Sequence, residues 1–219
     1  MLSDGTIIAL STPNGIGAIG VIRLSGNLAI EKAGLFIFPK NKKSWKKITP
    51  NTAFLADFIY LEQLIDEVLV TFFKGPNSYT GEDVVEISCH GSSYIIQKII
   101  SCFLESKVLP AQAGEFTLRA YLNKKMDLSQ AEAVADIIAS ESEAAHRIAM
   151  QQMRGGFSKN MEELRQQLIQ FKALIELELD FSEEEVNFAN KDQLKDLLST
   201  LHNDIHMLKE SFIYGNVIK

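Results

Sequence analysis

The sequence predicts an α+β domain, built on a mixed β-sheet with helices, followed by an all-α segment of a helical bundle. Before about residue 115, short β-branched runs alternate with turn residues, which is typical of strands. Beyond Pro110 the chain contains no proline, and its apolar residues recur at helical spacing. We therefore expect two domains, which cover residues 1–118 and 119–219.

The first domain is expected to contain strands and helices in an irregular order. The predicted strands cover residues 6–11, 19–24, 52–60, 67–73 and 84–89, and the predicted helices cover residues 28–36 and 93–106. Residues 38–50 hold five lysines around Trp45 and are interpreted as a solvated loop. This order favours an α+β fold over a regular βαβ repeat.

The second domain carries apolar stripes at helical spacing, which lie in residues 131–149, 161–179 and 194–212. Each stripe makes one apolar face of a helix, so we expect the stripes to form the core of a bundle. Ser129 with Glu132, and Ser182 with Glu185, have the spacing of a capping box at a helix start.

Composition excludes several classes of protein. The 219 residues are 46% apolar and 23% charged, the balance of an ordinary globular protein. The net charge of −6 argues against a chain that coats nucleic acid by bulk charge, and no DNA partner is expected. Cys89 and Cys102 lack a CxxC spacing and are interpreted as buried thiols. No leader or membrane-length apolar run is found, so we expect a cytoplasmic protein with no membrane partner.

A glycine motif suggests a nucleotide site, but its context does not fit. Gly15 to Gly20 match the G-x-G-x-x-G spacing of dinucleotide-binding loops. That chemistry requires a helix to begin within the motif, because the helix N-terminus faces the pyrophosphate. Here the motif runs into residues 21–24, which are β-branched and indicate a strand. We interpret it as a glycine-rich hairpin, and a nicotinamide or flavin enzyme stays as an alternative.

Several segments combine into a specific signature. They are DGTIIA from Asp4, GVIRLSG from Gly20, GPNSYTGEDVVE from Gly75, GEFTLRAYLN from Gly114 and KMDLSQAEA from Lys125. In this order and spacing they resemble the MnmE (TrmE) family of tRNA modification GTPases along essentially the whole chain. The family's phosphate loop, G-x-x-x-x-G-K-[ST], does not occur in this sequence. The resemblance therefore covers the region before the expected GTPase domain.

The resemblance implies a function. The first domain is expected to be a tetrahydrofolate-binding, dimerising domain similar to that of aminomethyltransferases, and the second to begin the central helical domain. Folate, as 5-formyl- or 5,10-methylene-tetrahydrofolate, is expected to supply one carbon for modification of the wobble uridine of tRNA. The implied partners are a second copy in a homodimer, the flavoprotein MnmG, and tRNA. GTP, Mg²⁺ and K⁺ are expected only in the GTPase domain, so the full-length protein is expected to be an enzyme and this chain alone to lack GTPase activity.

Three residues align with folate-contacting positions of the family: Arg23, Glu86 and Lys125. A carboxylate such as Glu86, late in an apolar strand, can accept both N–H groups on one edge of a reduced pterin. The two carboxylates of the folate tail call for fixed cations, which Arg23 and Lys125 would provide. The alternatives are a surface glutamate at a strand end and snorkelling cations. His90 is interpreted as a hydrogen-bonded residue at a strand end, and no catalytic or metal-binding residue is predicted.

Some positions depart from the family's motifs. Ile16 stands where the family has an arginine, Ser92 where it has a glycine, and Ala113 where it has a proline. Any contact from that arginine to a phosphate or carboxylate is lost. Glu115 and Arg119 are expected to pair at helical spacing in a structural role. Two further alternatives stay open, a folate-dependent aminomethyltransferase-like protein and a dimerisation scaffold without its own activity.

Overall fold

The computed structural model describes residues 5–40, 45–180 and 191–217. Its strands are β1 (Ile7–Leu10), β2 (Ile19–Ser25), β3 (Ile37–Pro39), β4 (Ala53–Tyr60), β5 (Gln63–Phe73), β6 (Val84–His90) and β7 (Leu109–Pro110). Its helices are α1 (Ala29–Ala33), α2 (Ser93–Glu105), α3 (Glu115–Leu122), α4 (Leu128–Ala139), α5 (Glu143–Met153), α6 (Gly156–Asp180) and α7 (Lys191–Val217). This confirms the predicted fold class, an α+β part followed by an all-α part.

The chain divides into two compact units. We call them the sheet unit, Met1–Val134, and the helical unit, Ala135–Lys219. The domain limit expected at residue 118 stays a prediction.

All strands belong to one seven-stranded sheet in the order β3-β4-β5-β6-β2-β1-β7. Neighbouring strands are antiparallel, except that β7 pairs parallel with β1. β1 and β2 form a hairpin, and the glycine motif lies in its connection and at the start of β2. A Cβ on Gly91 would lie only 2.4 Å from the carbonyl oxygen of Gly17, so this close approach requires glycine. The interpretation of the motif as a hairpin is therefore confirmed.

One face of the sheet holds the main hydrophobic core, together with α2. Because side chains alternate along a strand, every second residue of the central strands points into this core. Its fully buried members include Ile22, Leu24, Phe58, Val68, Val70, Val85, Ile87, Ile99 and Phe103. Phe103 packs edge-on against Phe36, with ring centroids 5.1 Å apart, and lies 5.8 Å from Phe58. The opposite face of the sheet carries the alternate residues of these strands.

The edges of the sheet differ from the prediction. β3 and β7 are not among the predicted strands, because they are three and two residues long and end in Pro39 and Pro110. β5 begins at Gln63, before the predicted start at residue 67. The turn that precedes it places Leu61 and Glu62 at positive φ angles of 47° and 62°, which the sequence does not announce.

The start of α4 is capped by other residues than predicted. The backbone N–H of Gln130 donates to Asp127 Oδ1, and the backbone N–H of Asp127 donates to Gln130 Oε1, both at 2.9 Å. This reciprocal pair is the capping box, because Asp127 directly precedes the helix. The prediction of Ser129 with Glu132 is wrong, since Ser129 already lies in the first turn. The second predicted box, at 182–185, lies outside the described residues.

The apolar stripes of the helical unit are only partly buried. The first stripe is divided between α4 and α5, and Ser142 caps α5 by accepting a hydrogen bond from the backbone N–H of Ala145. Leu201 and Ala149 are 4% and 3% exposed. About half or more of the side chain is exposed at Ile138, Ile148, Leu168, Leu198 and Ile205. For these five residues the prediction of a bundle core is wrong, because the helices that pack together here cover only part of each apolar face.

Candidate functional site

The sheet face opposite α2 carries a row of residues in matched register. Ala53, Thr71, Glu86, Arg23 and Ala9 are successive partners on β4, β5, β6, β2 and β1. The residues on either side of Thr71, Glu86 and Arg23 are buried in the core, so this row faces the other way. Two of the three predicted folate-binding residues are therefore direct cross-strand neighbours near the middle of the sheet.

Arg23 and Glu86 form an ion pair. Arg23 Nη2 lies 2.7 Å from Glu86 Oε1, and Arg23 Nε donates a hydrogen bond to the same oxygen at 2.9 Å. Their side chains are 26% and 30% exposed, which makes the pair stronger than a fully exposed one and still accessible to a ligand. Both contacts use Oε1, and within the described part of the chain Oε2 accepts no hydrogen bond.

Two aromatic rings flank the guanidinium of Arg23. The Cζ atom lies 5.4 Å from the ring centroid of Tyr79 and 5.6 Å from that of Phe116, within the range of cation–π attraction. Tyr79 is held by a 2.9 Å hydrogen bond between its hydroxyl and Thr117 Oγ1. Tyr79 comes from the loop before β6 and Phe116 from α3, so three separate segments meet at Arg23.

Behind this pair lies a buried polar network. Arg119 is 5% exposed and contacts both Glu82 and Glu115. The pairing of Arg119 with Glu115, four residues apart on α3, confirms the expectation from helical spacing. The contact with Glu82 does not follow from spacing, because it joins α3 to the loop before β6.

Lys125 is bonded to the loop before β6 and not to the ion pair. Its Nζ donates to the carbonyl oxygen of Pro76 at 2.9 Å, in an exposed position. Its side-chain carbons lie against Gly81, whose φ of 80° permits the tight turn there. Among the described contacts none joins Lys125 to Arg23 or Glu86. Lys125 is therefore bonded to the loop between β5 and β6, which also carries Tyr79.

Other residues singled out in the sequence have local roles. His90 Nδ1 lies 2.7 Å from Asp66 Oδ1, which confirms a hydrogen-bonded histidine at a strand end. Ile16 is 94% exposed in the glycine-rich connection. Burial raises the pKa of the Cys89 thiol to about 11, and it also raises the pKa of Cys102, so both are buried thiols as predicted.

The described residues show neither a membrane-spanning helix nor a metal-binding cluster. In the described ranges no helix has both the length and the apolar character needed to cross a membrane. The same ranges contain no group of three or more histidine, cysteine, aspartate or glutamate side chains arranged to hold a metal ion.

Sequence reasoning missed the residues that support the ion pair. Tyr79, Phe116 and Glu82 were part of the recognised motifs, but nothing in their spacing indicated contact with Arg23 or Arg119. Their segments are brought together by the sheet register and by α3, which are long-range features.

Comparison with known proteins gives this arrangement a context. Residues 6–125 match the family described as GTP-binding protein TrmE N-terminus, and residues 128–219 match the MnmE helical domain. The class of protein defined in this way has a TrmE N-terminal domain followed by an MnmE helical domain. The chain belongs to the MnmE (TrmE) family.

Curated relatives are similar over the full chain. The tRNA modification GTPases MnmE of Christiangramia forsetii, Flavobacterium psychrophilum and Bacteroides fragilis are 53%, 54% and 51% identical over 219 residues. Each alignment covers 100% of this chain and 46% or 47% of the relative. The chain thus spans about half the length of the curated relatives it matches.

Proposed function

We propose that the sheet unit binds a reduced folate, the one-carbon donor of a tRNA modification reaction, at the pair formed by Arg23 and Glu86. The observation that carries this proposal is the Glu86 carboxylate, which is 30% exposed, accepts no hydrogen bond at Oε2 from the described residues, and is paired with an arginine flanked by two aromatic rings. A flat heteroaromatic ligand with adjacent N–H groups on one edge fits such a site, because the carboxylate accepts its hydrogen bonds and the rings contact its faces. The folate, when bound, supplies the carbon unit.

The roles of the two partners differ from the expectation based on sequence. Arg23 was expected to bind the carboxylates of the folate tail, while Glu86 bound the pterin. Because Arg23 contacts Glu86 directly, and the aminobenzoyl group separates the two ends of an extended folate, one molecule does not bring both ends to this pair. We therefore assign Arg23 to orienting Glu86 and to the polar groups of the pterin.

Lys125 is the proposed partner of the tail. Its ammonium group is exposed and bonded only to the carbonyl oxygen of Pro76 among the described residues, a neutral acceptor that a carboxylate can replace. A tail that runs past the loop carrying Tyr79 would reach it. The specific folate, 5-formyl- or 5,10-methylene-tetrahydrofolate, is set by the carbon unit that the reaction transfers.

We further propose the activity of the whole protein from its family. The relatives are named tRNA modification GTPases, and this chain matches their first half. In this proposal the whole protein modifies the wobble uridine of tRNA in the cytoplasm together with MnmG. GTP, Mg²⁺ and K⁺ act in a GTPase domain, whose phosphate loop is not in this sequence.

Homodimer formation is supported by apolar residues beside the pair. Leu55 and Leu69 are cross-strand partners, and Leu69 pairs with Ser88, one row away from Glu86. The two leucines are 45% and 47% exposed on the same face of the sheet. A second copy that covers them would bury apolar surface and place a subunit boundary next to the folate.

Calorimetric titration of the 219-residue chain with 5-formyl-tetrahydrofolate tests the proposed site. We expect saturable binding, which Glu86→Gln weakens about 10- to 100-fold, because a hydrogen bond to a charged group contributes about 1.5–3 kcal/mol. Arg23→Ala is expected to weaken binding about tenfold, since it leaves Glu86 unpaired. Glu31→Ala, a change at an exposed glutamate of α1, serves as the control.

The outcomes separate the alternatives. An unchanged affinity in both Glu86→Gln and Arg23→Ala would overturn the site. No binding by the wild-type chain would favour the dimerisation scaffold, and saturable binding of NAD or FAD would favour an oxidoreductase.

Light scattering behind a sizing column tests the homodimer. We expect the wild type to elute as a dimer and Leu69→Glu to shift it toward the monomer, because a charge on this face opposes burial. Leu35→Glu changes a leucine that is 52% exposed outside this face and should leave the dimer intact. A wild type that is monomeric at every concentration would contradict the proposal.

A further inference from the structure

Arg119 is a buried arginine whose two terminal nitrogens bond to three separate segments of the sheet unit. Its Nη1 donates to both carboxylate oxygens of Glu82 at 3.1 Å. Its Nη2 donates to Glu115 Oε1 and to the carbonyl oxygen of Gly5, each at 3.0 Å. One buried guanidinium therefore joins the loop before β6, helix α3 and the residues that lead into β1.

The network continues to the strand that carries Arg23. Glu82 Oε2 accepts a 2.7 Å hydrogen bond from Ser25 Oγ, and Ser25 Oγ also lies 2.7 Å from Thr80 Oγ1. Ser25 is two residues after Arg23 on β2, so both side chains are on the same face of the sheet. The hydrogen-bond network of Arg119 thus extends to Ser25, next to the proposed folate site, but includes neither Arg23 nor Glu86.

The two rings that flank Arg23 are fixed by the segments that Arg119 joins. Tyr79 directly precedes Thr80, and Phe116 directly follows Glu115. The hydroxyl of Tyr79 is bonded to Thr117 Oγ1, which connects the loop to α3 a second time. Any loosening of the loop against α3 therefore moves a ring away from the guanidinium of Arg23.

We propose that Arg119 is a positioning residue of the folate site, which holds Tyr79 and Phe116 around Arg23 and so fixes the plane in which Arg23 meets Glu86. This inference rests on the proposed folate binding. The planar fork of arginine is required, because it contacts Glu82 and Glu115 at once, whereas the ammonium group of lysine lacks this geometry.

The test follows the Nε–H group of Arg23 by NMR in the ligand-free 219-residue chain. The signal is identified by its loss in Arg23→Ala. In Arg119→Lys we expect this signal to shift and its exchange with solvent to rise about tenfold, because the bond to Glu86 Oε1 opens more often. Glu82→Gln, which keeps the shape of the side chain, is the second variant and should act in the same direction. Arg165→Lys changes an exposed arginine paired with Glu162 and is the matched control.

The same variants are then titrated with 5-formyl-tetrahydrofolate. We expect Arg119→Lys to weaken binding about tenfold, and to weaken it less than twofold when Arg23 is already alanine, because positioning acts through Arg23. Fluorescence of Trp45 checks that each variant is folded.

Each outcome is decisive for one of the two proposals. An Arg23 signal that is unchanged in both Arg119→Lys and Glu82→Gln overturns the positioning role, and so does a changed signal with unchanged affinity. A wild-type chain that does not bind folate overturns the proposed function, and the NMR readout then decides alone whether Arg119 positions Arg23.

Discussion

The sheet unit and the helical unit contain the same types of charged residue, but their ion pairs span different distances along the chain. In the sheet unit, Arg23 and Glu86 are 63 positions apart in the chain, and Arg119 and Glu82 are 37 apart. In the helical unit the described ion pairs join neighbours on one helix: Lys159 with Glu163, Arg165 with Glu162, and Lys172 with Glu176. Pairs of the second kind form wherever a helix forms, whereas pairs of the first kind depend on the whole sheet. Only the first kind brings distant segments together, which is what a binding site requires.

The two units also differ in how completely they bury their apolar side chains. The sheet unit encloses Phe58 and Phe103 completely, whereas the helical unit leaves Ile205 half exposed one turn from the buried Leu201. We therefore expect substitutions of apolar residues to lower the free energy of unfolding more in the sheet unit than in the helical unit.

Phe103→Ala should have the largest effect. Removing a fully buried ring from contact with Phe36 and Phe58 should lower the free energy of unfolding by about 3–5 kcal/mol. Urea unfolding followed by the fluorescence of Trp45 measures it, since Trp45 is the single tryptophan of the chain and packs on Phe54. Tyr94→Ala, at a side chain that is 67% exposed, should change stability by less than about 0.5 kcal/mol. Equal losses in the two variants would remove the basis of the comparison.

The ion pairs provide the next test. Arg119→Ala leaves two carboxylates without their buried partner and should destabilise the protein by about 3 kcal/mol. Arg165→Ala removes an exposed pair on α6 and should change stability by less than about 0.5 kcal/mol. The same urea experiment, read by circular dichroism at 222 nm, compares them. A small effect of Arg119→Ala would mean that long-range and local pairs are equivalent in this fold.

A smaller contrast is expected within α7. Leu201→Ala empties a buried position and should lower the free energy of unfolding by about 2 kcal/mol, whereas Ile205→Ala should cost less than about 1 kcal/mol. Circular dichroism during urea unfolding measures both variants. A larger loss for Ile205→Ala would indicate that its half-exposed side is covered in solution.

A last effect, which is expected only above pH 9, concerns the thiols of the sheet unit. The folded state raises the pKa of Cys89 from 9.0 to about 11, so it holds the thiol proton more tightly than the unfolded chain does. The contribution of this group to stability is full below pH 9 and is lost as the pH rises toward 11. The pH dependence of the urea midpoint should therefore be weaker in Cys89→Ala than in wild type above pH 9. An identical dependence would contradict the assigned burial of the thiol.

Much of the fold follows from local sequence patterns. Alternating apolar residues locate β2, β4 and β6, because each strand buries one face. β3 and β7 could not be predicted, because they are too short to show an alternation of apolar and polar residues and they end in Pro39 and Pro110. The half-exposed residues of α6 and α7 show the limit of such patterns, because an apolar stripe predicts a helix face but not how much of it a neighbour covers.

The site was predictable in its members but not in its geometry. Glu86 and Arg23 attract notice as single charges in apolar strands, yet their contact depends on the register of β2 against β6. The bond between Arg119 and Glu115 follows from helical spacing, whereas the bond between Arg119 and Glu82 requires α3 to lie against a distant loop. Lys125 is grouped with the pair by resemblance, and its observed bond is to the carbonyl oxygen of Pro76, so its role at the site stays a prediction.

The direct contact between Arg23 and Glu86 has a consequence for selectivity. Each charge already has its counter-ion inside the protein, so a simple ion gains little by entering. A cation that draws Glu86 away strands the arginine, and an anion that draws Arg23 away strands the carboxylate. Only a molecule that offers donors and acceptors side by side can join the pair without breaking it. We therefore expect the pair to bind phosphate, chloride and metal ions only weakly.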